Sequence, residues 1–119
     1  ARTRLGELLG PGAENRPGQR DYVDTCINAF TPLDRKDKPS LVLAEAGTGI
    51  GKTLGYVAPA SLWAERNESA VWISTYTRNL QRQLDAELNR LYPTPVEKKA
   101  RVVIRKGRRG QTITIMLVV

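Results

Sequence analysis

The sequence predicts an α/β fold in which a parallel sheet is flanked by helices. Three observations predict it. Short continuous apolar runs occur at Leu41-Val42-Leu43-Ala44, Ala70-Val71-Trp72-Ile73-Ser74-Thr75 and Arg101-Val102-Val103-Ile104. Segments of helical periodicity lie between them, and a glycine-rich turn follows the first run directly. Continuous apolar runs suit strands buried on both faces, and strand–helix alternation suits right-handed crossovers between parallel strands.

Taken in chain order, residues 1–18 hold four of the ten glycines and two prolines, so an irregular lead-in is expected there. Tyr22, Val23, Cys26, Ile27 and Phe30 recur at helical spacing, which predicts a helix from Gln19 to Phe30 ended by Pro32. The run from Asp34 to Pro39 is a charged loop. After the strand at 41–44 comes the glycine-rich turn and then a helix from about Gly51 to Glu68, which Pro59 is expected to kink or divide. The strand at 70–75 leads to a helix from Asn79 to Tyr92 with Leu80, Leu84, Leu88 and Leu91 on one face, stopped by Pro93 and Pro95. The strand at 101–104 closes the alternation. Residues 109–119 form an atypical tail whose apolar, β-branched run from Thr112 to Val119 suits one more strand, though an unpaired apolar strand invites aggregation.

Composition bounds the chemistry. The 119 residues have room for one small core or part of a larger domain. The whole net charge of +7 comes from the last 22 residues, where Lys98, Lys99, Arg101, Arg105, Lys106, Arg108 and Arg109 stand without an acid. Such a balance suits a polyanionic partner. Cys26 is the one cysteine, which excludes an internal disulfide and a cysteine metal cluster and fits a reducing, cytoplasmic setting. With no histidine, every Ser-His or Cys-His nucleophile pair is excluded. No apolar run approaches the ~20 residues needed to span a bilayer, so no membrane partner is expected.

The turn after the first strand reads Ala46-Gly47-Thr48-Gly49-Ile50-Gly51-Lys52-Thr53, a Walker A phosphate loop. Backbone amides bind phosphate oxygens here, so the main chain must approach the ligand and take dihedrals that a Cβ forbids; Gly47, Gly49 and Gly51 allow this. The following helix adds unpaired amides and the positive end of its dipole. Lys52 supplies a point charge to the β and γ phosphates and Thr53 a hydroxyl for Mg, so both are assigned to catalysis. Without phosphate, the Lys52 ammonium is expected to face solvent. Hydrolysis also needs a magnesium-holding acid and a charge-stabilising arginine. Glu65, Glu68, Asp85, Glu87 and Glu97 all follow Thr53, and none ends a strand pattern; Glu45, just before the loop, is assigned a structural role.

Several pieces, in this order, resemble the DinG/XPD-like family of superfamily-two (DEAD/DEAH-related) ATP-dependent DNA helicases. Residues Glu45 to Thr53 with Leu54-Gly55-Tyr56-Val57-Ala58-Pro59-Ala60 look like its motif I. Arg16-Pro17-Gly18-Gln19 resembles the adenine-recognising Q motif, which implies that Arg16 and Gln19 read the purine edge. Ser74 to Leu84 looks like motif Ia, which implies contacts from Ser74, Thr75, Thr77, Arg78 and Gln83 to the backbone of single-stranded DNA; capping by Thr75 or Thr77 is compatible with that role. Lys106-Gly107-Arg108 resembles the segment before the family's iron-sulfur insertion and suits phosphate. No cysteine follows, so an iron-sulfur cluster is not supported. The resemblance implies a P-loop NTPase (RecA-like) domain, incomplete here: residues 19–108 match the N-terminal part of the first motor domain, and acidic motif II, arginine-bearing motif VI and the remaining helicase domains are absent from this chain. The implied function is ATP binding and hydrolysis coupled to movement on single-stranded DNA in the parent, with this chain inactive alone. Another P-loop NTPase or kinase, or a noncatalytic truncated remnant, stays open.

Overall fold

In the computed structural model, residues 3, 6, 17–32, 37–106 and 113–117 are described, with Lys106 and 113–117 described by backbone alone. Most of the expected lead-in, together with Arg16 and residues 107–112, lies outside them. The apolar periodicity after Pro17 forms helix α1, Pro17–Ile27, continued by a 3-10 turn at Asn28–Phe30. Pro17 at the first helical position loses no hydrogen bond, because that amide has no partner in a helix.

The chain divides into two compact units, residues 1–60 and 61–119, and helix α2, Lys52–Asn67, runs from one into the other. Pro59, expected to kink or divide the helix, does not divide it. One missing amide bond is a local loss, and Leu54, Val57, Ala58 and Ala60 around it are buried and hold the helix together. In the first unit Val23 packs with Leu54 and Ala58, with Ile27 against them. The helices approach closely at Gly55, where a Cβ would lie 2.7 Å from Tyr22 Cδ1. Residues 41–47 carry no strand pairing, and Leu41 and Leu43 are 82% and 88% exposed. The strand expected at 41–44 is therefore corrected to an unpaired segment: an apolar pattern supplies side chains for a sheet, but a strand also needs a neighbour to bond its backbone.

In the second unit, strand β1, Val71–Thr75, leads to helix α3, Arg78–Leu91, with Leu84 and Leu88 fully buried and Leu80 exposed. Pro93 ends that helix region, whereas Pro95 opens a further one, α4, Pro95–Arg101. Its start was written in the sequence as Thr94-x-x-Glu97. The Thr94 hydroxyl accepts from the Glu97 amide at 3.3 Å and donates to Glu97 Oε2 at 2.8 Å, and Pro95 takes the first helical position. Lys98 then ties α4 to α3 through Asp85 and Asn89. Strand β2, Val102–Lys106, begins one residue later than expected.

The sheet corrects the parallel expectation. Strand β3, Ile113–Leu117, lies between β1 and β2 and runs antiparallel to both. Parallel neighbours need a long crossover, and only six residues separate β2 from β3, a length that returns the chain antiparallel. Strands β1 and β2 both oppose β3, so they share one direction, as the helical crossover between them predicts. Residues 113–117 of the tail are thus a paired strand, and the rest of the tail lies outside the described residues.

Candidate nucleotide-binding loop

The loop is shaped by two glycines. Gly49 and Gly51 have φ of +81° and +78°, the left-handed region that costs other L-residues about 1–2 kcal/mol. Thr48 and Gly49 make the turn, Ile50 is half-buried in the bend, and α2 begins immediately at Lys52. Gly47 is exposed with ordinary φ and open space where a Cβ would stand. The first helical bond runs from the Gly55 amide to the Gly51 carbonyl at 3.1 Å. The amides between them lie at the helix start, where a helix leaves its donors for an anion.

Lys52 does not point into solvent as expected. Its Nζ donates to the carbonyls of Ala46 at 2.7 Å and Gly47 at 3.0 Å. An ammonium carries three donors, so two are held by the loop and one is left. The charge therefore already sits over the turn, and a phosphate oxygen needs only to compete with two neutral carbonyls. Thr53 is half-buried one residue on and makes a side-chain hydrogen bond with Tyr56, three residues along the same helix. Burial pushes the Tyr56 phenol up, and the bond from Thr53 opposes that rise.

Gln19 supports the loop from beneath. It is 5% exposed, and its Nε2 donates to the Gly51 carbonyl at 3.3 Å. A Cβ on Gly51 would come within 2.3 Å of that nitrogen by geometry, so the glycine is required twice over. Beside it, burial and then the neighbouring Cys26 push the Tyr22 phenol up to about 12. Burial likewise raises the Cys26 thiol, against a hydrogen bond from Tyr22, which keeps it protonated and inert near neutral pH. Tyr22 and Tyr56 were not singled out from the sequence as site residues. The available signal was their spacing, each three residues beyond a singled-out polar residue on one helix face.

The other predicted residues lie in the second unit. Ser74 is exposed and Thr75 buried, on opposite faces of β1. The Thr77 hydroxyl accepts from the Leu80 amide at 3.2 Å and caps α3, while Arg78 and Gln83 are exposed on that helix. Lys106 ends β2, and Arg108 is outside the described residues. The acids after Thr53 sit on helices or a turn: Glu65 is 4.0 Å from Arg101, Glu87 pairs with Arg90, Asp85 with Lys98, and Glu97 with Thr94. Among the described residues no group of three or more His, Cys, Asp or Glu side chains could hold a metal ion, and no helix is long and apolar enough to cross a membrane.

The described residues mix helices with short strands. The similarity of this chain to known proteins is specific. It is 42% identical over 106 residues to the ATP-dependent DNA helicase YoaA of Haemophilus influenzae, covering 85% of this chain and 15% of that protein. It is 38% identical over 96 residues to the 3'-5' exonuclease DinG of Bacillus subtilis, covering 77% of this chain and 10% of that one. The ATP-dependent helicase DinG of Mycobacterium tuberculosis strain H37Rv is 32% identical over 103 residues, covering 83% of this chain and 15% of that protein. The chain is a DinG-like segment, spanning 10 to 15% of the length of these relatives. No family profile matches it, and no solved structure does.

Proposed function

We propose that this chain is the nucleotide-binding portion of an ATP-dependent DNA helicase. The observation that carries the reading is the loop itself: left-handed Gly49 and Gly51 deliver the chain into a helix whose first residue, Lys52, already holds its ammonium over the turn. Ala46 to Thr53 would hold the triphosphate of ATP, with Lys52 on the β and γ oxygens and Thr53 on Mg. These residues fit such a group in chemistry, since amides, an ammonium and a hydroxyl meet at one helix start. Mg bound there would neutralise charge building on the transferring phosphate. Gln19, whose nitrogen braces Gly51, would read the adenine edge with Arg16.

In the second unit, Ser74, Thr77, Arg78, Gln83, Lys106 and Arg108 would meet single-stranded DNA, chiefly through phosphate contacts indifferent to base, whereas the Thr75 side chain is buried on the other face of β1. The acids past Thr53 lie on helices and a turn and not at a strand end, so the isolated chain binds nucleotide without turning it over.

Binding of a fluorescent ATP analogue with magnesium tests the reading. Lys52→Ala should weaken it tenfold or more with the circular dichroism unchanged. Equal affinity of the variant and the parent chain overturns the assignment, and magnesium-dependent ATP turnover by the isolated chain overturns its incompleteness.

A further inference from the structure

We propose that the face of the three-stranded sheet that carries Trp72 is a stacking platform for the bases of single-stranded nucleic acid. The proposal rests on the DNA-handling reading above and adds a base-binding surface to its phosphate contacts. The register defines the face. Trp72 and Val103 both pair with position 116, and Ser74 and Arg105 both pair with position 114. Residues directly opposite in an antiparallel ladder share a face, so these four stand together, with β1 and β2 roughly 9–10 Å apart across the intervening strand.

The burial supports this assignment. Trp72 is 61% exposed and Val103 40%, Ser74 and Arg105 are exposed, and on the other face Val71, Ile73 and Val102 are half-buried and Thr75 is buried; Ile104 on that face is 38% exposed, so it is β1 that distinguishes the two faces. Tyr76, the residue after β1, is exposed as well. An open indole is costly in water, so something flat and apolar is the natural cover. Charge selects between a nucleic acid and a protein. None of the three strands contains an acid, whereas Arg105 lies on this face and the chain from Lys98 onward is wholly basic. An aromatic ring beside a hydroxyl and a guanidinium on an acid-free sheet accepts a base on the ring and a phosphate at its edge.

Trp72 reports on its own ligand. In the full chain carrying Trp63→Phe, Trp72 is the one indole left, and oligo(dT) should quench its emission saturably. A duplex of equal length, whose bases are already stacked, should quench it much less. Trp72→Ala should weaken oligo(dT) binding about tenfold or more, within the span expected for one stacked base. Arg105→Ala should weaken it several-fold and flatten its salt dependence. Unchanged Trp72 emission on adding oligo(dT), equal quenching by duplex, or unaltered binding by Trp72→Ala overturns the proposal. So does a concentration-dependent shift of Trp72 emission without DNA, which assigns the face to a second copy of this chain. A chain that binds ATP through Lys52 but fails these tests loses the platform and keeps the proposed function.

Discussion

The phosphate loop of the first unit and the sheet of the second are built by different kinds of contact. In the loop, Lys52 reaches carbonyls only five and six residues back, and two glycines set the turn by their own dihedrals. One distant side chain, Gln19, completes it. In the sheet every rung between β1 and β3 joins residues on opposite sides of α3 and α4, such as Val71 with Leu117 and Thr75 with Ile113. The contrast teaches that a binding loop can be specified by a few adjacent residues, whereas this sheet depends on loop closure being offset by burial.

Cutting into the packing that supports the second unit should have the largest effect. Leu84→Ala or Leu88→Ala, each removing a fully buried side chain, should cost about 2–5 kcal/mol in urea unfolding. A loss below ~1 kcal/mol would mean that the buried face of α3 is not what supports this unit. The next effect sharpens the local side. Gly51→Ala should cost at least ~1–2 kcal/mol and weaken ATP binding, because it strains φ and forces Gln19 off its carbonyl. Gly47→Ala, where nothing lies within 4 Å, is the control and should leave the melting curve close to that of the parent chain. If both variants melt alike, the loop is not set by its dihedrals.

Thr77→Ala removes the cap of α3 and should cost about 1 kcal/mol, with Thr77→Ser restoring it in the same unfolding titration. The smallest effect is one of pH in the first unit. Tyr22 holds its proton to about 12 when folded, against 10.0 for the free side chain. Its neutral form is the buried one, so its contribution to stability is complete below pH 10 and declines as pH rises from 10 towards 12. Ultraviolet absorbance should show a late-ionising phenol that Tyr22→Phe removes, while Tyr56, also raised by burial, remains. Stability that rises over that window would reverse the sign.

Much of the helical content was legible in particular residues. The spacing of Tyr22, Val23, Cys26 and Ile27 marked α1, and that of Leu84 and Leu88 marked the buried face of α3. Thr94 and Glu97 also spell out the start of α4, although Pro93 and Pro95 by themselves predict only a stop. The strands were legible as segments and not as a sheet. The run 71–75 paired, the equally apolar run 41–44 did not, and the tail 113–117 took the place between two strands of one direction. Of the candidate site, Gly49, Gly51 and Lys52 were read directly from the motif, while the brace from Gln19 and the Thr53–Tyr56 bond needed the helix faces.

The amino-acid order by itself determined where helices start and stop, which turn demands left-handed glycines, and that the basic charge gathers towards the last strands. These are properties of neighbours three or four residues apart, where the backbone geometry is known in advance. Only the tertiary structure decided which strands pair and in what direction, that Pro59 is carried inside a continuous helix, and that Lys52 bonds the loop's own carbonyls. Those outcomes depend on which distant groups compete for a single donor, acceptor or strand edge, and local sequence does not contain that competition.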